Sequence, residues 1–126
     1  MFVLFTKHIV DMKEFLMLFW NTAGDGSYSV DPEAMQQSMS AWQAWIGKIA
    51  RGGNLISTQP IQYAGTMVDK QQTIDRPAVL EGKLVTGYLV CRAASLDEAK
   101  GWAQDCPITA QAGGFTEIRE ISPFEM

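Results

Sequence analysis

Two well-marked helix starts, each preceded by an apolar run, do most to limit what this chain can fold into. The first is Asp31-Pro32-Glu33. Aspartate can accept from the free amides of a helix N-terminus. Proline suits the first helical position, where its missing N–H is not needed, and glutamate favours the positive end of the helix dipole. Behind this start, Met35, Met39, Trp42, Ile46 and Ile49 recur at spacings of four and three, forming one apolar face with Trp45 on its flank. Lys48 and Arg51 suit the C-terminal end, and Gly52-Gly53 stop the helix. The second start is Ser95-Leu96-Asp97-Glu98, a capping box in which the serine accepts from the amide three residues on and the glutamate reaches back. Leu96, Ala99, Ala103 and Cys106 supply its apolar face, with Trp102 beside them, and Pro107 prevents continuation.

The remaining apolar runs read as strands. Phe15 to Trp20 is short and continuous, which suits a central strand buried on both faces. Asn21 to Ser27 is turn chemistry, with Gly24 and Gly26 free to take positive φ; it lacks the pattern of a phosphate-binding loop. Leu55 to Ser57, Ile61 to Val68 and Leu84 to Arg92 follow as strands, separated by Pro60, by Asp69 to Pro77 and by Glu81-Gly82. Gly87 inside the last of these marks a bulge or a close backbone approach. Phe115 to Ile121 alternates as a half-exposed final strand. The order β, α, two or three β, α, β predicts a ferredoxin-like α+β sandwich, with an antiparallel sheet and both helices on one face. The other sheet face also needs a cover, and in a small protein a second copy is the usual one. A homodimer is therefore expected.

With 126 residues the chain suits a single domain, here residues 12–126, preceded by an extension at 1–11. We expect that extension to pack along a sheet edge or across the dimer. A net charge of −4 with scattered basic residues gives no footprint for nucleic acid. No apolar run is long enough to span a bilayer. Lys7 follows the apolar Phe2 to Phe5 instead of preceding it, unlike a signal peptide, so a cytoplasmic protein is expected. Cys91 and Cys106 do not form a CxxC pair and read as buried thiols. With His8 as the only histidine, neither a metal site nor an axial haem ligand is expected, and no cofactor is assigned.

Asp75 to Ala103 reads DRPAVLEGKLVTGYLVCRAASLDEAKGWA and leads into Cys106-Pro107. This stretch resembles the YCII-related superfamily, in particular its DGPF-domain branch. Asp75 and Pro77 match the branch's Asp-Gly-Pro-Phe turn, while Arg76 replaces its glycine and Ala78 its phenylalanine. Gly87-Tyr88, Ser95 to Ala99, Trp102, Cys106-Pro107 and Glu117 to Arg119 also fit. Lys13 to Trp20 fits the family's first strand, and Trp42 to Gly53 its helix and following turn, so the likeness runs from about Met12 to Ile121. The resemblance implies a dimeric α+β barrel in which two sheets face each other around a cleft. It also implies action on, or binding of, a small organic molecule such as an acid or a lactone. Some members use a His–Asp pair in the cleft. Trp42 stands near where the histidine would fall, so Asp75 is the half of the pair that carries over.

Asp75 suits a general base or a substrate-orienting carboxylate. It suits equally a turn residue that bonds nearby amides. Trp42, Trp45 and Met39 suit an aromatic pocket wall or plain core. Tyr88 suits either a hydroxyl pointed into the cleft or a buried tyrosine whose hydroxyl is satisfied. Arg119 and Arg92 suit an anionic group or surface ion pairs, with Glu117 and Arg119 expected to pair on one strand face. A non-catalytic regulatory or structural homodimer is the competing reading, because no nucleophile–base pair is visible in the chain.

Overall fold

The structure is a computed structural model and describes residues 12–24, 26 and 31–124. The element order is β1 (Lys13–Thr22), α1 (Pro32–Arg51), β2 (Leu55–Pro60), β3 (Met67–Val68), β4 (Thr73–Ile74), β5 (Lys83–Ala93), α2 (Leu96–Gln104) and β6 (Phe115–Glu120), with a 3-10 turn at Pro107–Ala110. The main sheet runs β2-β5-β1-β6, and every neighbouring pair is antiparallel. This is the ferredoxin-like arrangement expected from the element order. Residues 1–11, including His8 and the predicted extension, lie outside the described residues.

Both helix starts form as their residues dictate. The Asp31 carboxylate accepts from the Glu33 amide at 3.1 Å, and Pro32 opens α1. Ser95 Oγ accepts from the Glu98 amide at 3.2 Å, and Glu98 Oε1 reaches back to the Ala94 amide at 3.1 Å. The core sits between the helices and one sheet face. Phe15, Met17 and Phe19 of β1 and Leu89, Cys91 and Ala93 of β5 pack against Trp45 and Ile49 of α1 and Ala99 and Ala103 of α2. Trp45 Nε1 donates to the Trp102 carbonyl at 2.9 Å, which ties the two helices together. Leu96, expected on the apolar face of α2, is instead exposed, and Cys106 is buried in the turn after that helix.

The predicted strand from Ile61 to Val68 shrinks to Met67–Val68, which pairs only with Thr73–Ile74. Residues 61–82 form an arm outside the main sheet, with a tight turn in which the Asp69 carboxylate accepts from the Gln71 and Gln72 amides at 2.8 and 2.9 Å. Gly65 lies close against Pro77, where a Cβ would come within 3.2 Å of the proline Cα. The preceding strand runs through Pro60 rather than stopping before it. Because β2 is an edge strand, a residue with no amide hydrogen is tolerated at its end.

Candidate functional site

The alternation of β1 defines two faces. Phe15, Met17 and Phe19 are buried under the helices, while Leu16, Leu18 and Trp20 point to the other side and are half-buried. Cross-strand partners share a face. Leu18 pairs with Tyr88 and Glu117, Leu16 with Val90 and Arg119, and Trp20 with Val85 and Phe115. The open face is therefore a sheet of Leu16, Leu18, Trp20, Val85, Val90 and Phe115, carrying Tyr88, Glu117 and Arg119 among the apolar side chains. β1 is central, as expected, but among the described residues only one of its faces is closed by other elements. No described helix or strand covers the other.

Several polar groups on this face engage one another, and Thr58 of β2, which faces the helix side, braces the Tyr88 backbone. Tyr88 Oη lies 3.2 Å from Ser57 Oγ, and Thr58 Oγ1 donates to the Tyr88 carbonyl at 2.8 Å. Trp20 Nε1 donates to Glu117 Oε1 at 3.1 Å, and the Arg119 guanidinium lies 4.0 Å from the same carboxylate group. Trp20 stacks on Phe115 with ring centroids 5.8 Å apart, and Lys83 Nζ sits 5.1 Å from the Phe115 ring centroid. At one end Arg92 faces Glu14 at 3.9 Å beside a shallow recess lined by Met12, Glu14, Gly53 and Arg92.

The sequence-predicted pocket residues do not gather in one place. Trp42 and Trp45 pack edge-on against Phe19, at 5.0 and 5.8 Å between ring centroids, and so lie on the helix side of the sheet. Trp45 is only 5 % exposed, whereas Met39 is 47 % exposed on the outer part of α1. Tyr88 and Arg119 lie across the sheet from these three. Within one chain the sheet stands between the two groups. Asp75 is on the arm, exposed, and its side-chain partner among the described residues is Thr66 Oγ1 at 3.5 Å. Sequence reasoning missed Ser57, which it took as the end of a short strand; its role depends on a register shift that composition does not reveal.

Cys91 and Cys106 are free and buried. Burial pushes both thiols up to about 11, and the nearby Glu98 carboxylate adds to the effect on Cys91. Among the described residues no three His, Cys, Asp or Glu side chains cluster as metal ligands would. No helix among them is long and apolar enough to cross a membrane.

The YCII-related domain model matches residues 15–125. The chain belongs to the YCII-related family. That match takes in β1 from Phe15 onward, β2 to β6, both helices and the arm. A search of curated proteins finds no match. Among solved structures, the chain is similar to the 5-chloro-2-hydroxyhydroquinone dehydrochlorinase of Burkholderia phenoliruptrix AC1100, determined in complex with 2,5-dihydroxybenzoquinone. The two are 21% identical, with a TM-score of 0.49, over 85% of this chain and 93% of that one.

Proposed function

We propose that this YCII-related protein is a homodimer whose two open sheet faces enclose a cleft that binds a small organic acid or lactone. The observation that carries this reading is the apolar sheet face that no described helix or strand covers, set with Tyr88, Ser57, Glu117 and Arg119. Such a face exposed to water is costly, and two-layer folds of this kind close it with another layer. A second copy supplies that layer by presenting the same patch about a two-fold axis. Directly packed sheets sit about 10 Å apart with their side chains interdigitated. In this reading Trp20 and Phe115 at one end hold the two faces further apart than that, leaving room for a small molecule. In this reading Tyr88 and Arg119 belong to the ligand site. Trp42 and Trp45 brace α1 against the sheet, and Asp75 is a proton acceptor carried on the arm. The reading puts the protein in the cytoplasm, where two unbridged thiols stay reduced.

A binding role without turnover is the second reading. It is favoured by Trp42, which stands near the expected place of the family's histidine and is packed against Phe19. Asp75→Asn separates the two, because it keeps the shape and removes the charge. An enzyme loses turnover, whereas a binding protein shows none in either form and keeps its affinity.

The direct test is sedimentation velocity of the purified protein at tens of micromolar, followed by calorimetric titration with benzoate and with the lactone phthalide. A dimer that binds at least one of the two probes is expected. A monomer that binds neither would end the proposal.

A further inference from the structure

Ser57 reaches the open face only because β2 is irregular. Leu55 opposes Cys91, yet Ser57 opposes Val90, so Ile56 is an extra residue in β2. In unbroken register Ile56 would face Val90. The bulge thus exchanges an isoleucine for a serine on the open face and turns Ile56 outward, where it is 42% exposed. A second irregularity lies on the other side of Tyr88. Phe19 opposes Gly87 while Trp20 opposes Val85, which leaves Thr86 as the extra residue in β5. Bulges re-aim side chains and recur beside functional sites. These two bracket one hydroxyl pair, Ser57 Oγ and Tyr88 Oη, 3.2 Å apart.

The chemistry of that pair is specific. Two hydroxyls carry two protons, and their mutual bond uses one. The other is left to donate outward. Thr58 Oγ1 fixes the Tyr88 backbone through its carbonyl at 2.8 Å. On the β1 side Leu18 and along β5 Val90 are apolar and half-buried, and on the edge strand Gln59, opposite Tyr88, is exposed, so on the Leu18 and Val90 side a bond made by the pair meets little competition once water is excluded.

We infer that the Ser57–Tyr88 hydroxyl pair holds the carbonyl-type oxygen of the ligand, whether it belongs to a carboxylate or to a lactone. This rests on the open face being a ligand cleft. The two hydroxyls act as one unit: each needs the other to be aimed, and the outward proton serves one ligand oxygen.

The test is calorimetric titration of benzoate and phthalide into the wild-type dimer, Tyr88→Phe, Ser57→Ala and the double variant. Sedimentation and thermal melting are run alongside. Each single variant is expected to weaken binding about tenfold, the worth of one hydrogen bond. The double variant is expected to be little worse than either single one, and all forms stay dimeric. A loss confined to benzoate assigns the oxygen to a carboxylate; a loss confined to phthalide assigns it to an uncharged carbonyl. Wild-type affinity for both probes in both single variants overturns the inference while leaving the cleft standing. Loss of the dimer in the variants overturns it as well, because the pair would then be structural. A wild-type monomer that binds neither probe removes the cleft and the pair together.

Discussion

Gly87 lies beside the Phe19 ring and the backbone of β2, and a Cβ there would be tightly crowded. A Cβ there would meet the Gln59 carbonyl oxygen at 3.2 Å, Phe19 Cδ2 at 3.3 Å and the Pro60 Cα at 3.4 Å. Two of these are backbone atoms of β2, which cannot swing away. Gly87→Ala is expected to cost about 1–3 kcal/mol, the usual range for overpacking a core, read as a lower urea midpoint with an unchanged slope. The glycine stands out in the sequence because a strand interior normally avoids it, and the structure shows both a bulge and a close approach there. The placement of Trp42 and Trp45 was not legible in the same way. Helical spacing shows which side of α1 is apolar. It does not show which face of the sheet that side meets, because Phe15 to Trp20 is apolar at every position and carries no alternation. The buried thiols give a residue-scale prediction of pH dependence. The fold raises Cys91 and Cys106 from the usual 9.0 to about 11, so it favours the neutral thiol. Their contribution is complete below about pH 9 and is lost as pH rises through about 11. Melting temperature is therefore expected to fall across that interval, and to fall less steeply in Cys106→Ala. Parallel profiles would show that the thiols are not the cause.

Among the elements, the helices were the most legible because their ends carry their own chemistry. Ser95 and Glu98 satisfy amides at the start of α2 that no carbonyl in the helix can reach. Ser95→Ala is expected to cost about 1 kcal/mol. Ser95→Asp, which restores an acceptor and adds a charge at the positive end of the helix, should recover most of it. Thermal melts of the two variants check both claims, and an equal loss in each would exclude the cap as the cause. Strands were less legible because their boundaries depend on partners distant in sequence. Ile61 to Val68 is apolar enough for a strand, yet the chain leaves β5 just after Pro60, where the Ile61 amide still donates to the Thr86 carbonyl at 3.0 Å, so most of the run becomes arm. The bulges at Ile56 and Thr86 are invisible for the same reason: each exists only relative to a register on the opposite strand. This is why Tyr88 could be named from the sequence and its partner Ser57 could not.

At the scale of the whole molecule, the unbalanced feature is a sheet that the described residues close on one side and leave open on the other. Leu18 is near the middle of the open side, between Tyr88 on β5 and Glu117 on β6. It faces away from the helices, so a change there leaves the helix-side core of Phe15, Met17 and Phe19 in place. That separation makes it a clean probe of what covers the face. In a dimer closed on this surface, Leu18→Asp puts two carboxylates, one from each copy, into a single apolar interface. Burial and like-charge repulsion then act together. The variant is expected to sediment as a folded monomer with far-ultraviolet circular dichroism close to wild type. The wild-type melting temperature should rise with protein concentration, because association stabilises the folded state by mass action. That dependence should disappear in Leu18→Asp. A wild-type melt independent of concentration, or a variant that stays dimeric, would mean that the open face is not the contact between copies. The apolar row from Leu16 to Trp20 would then need a different cover.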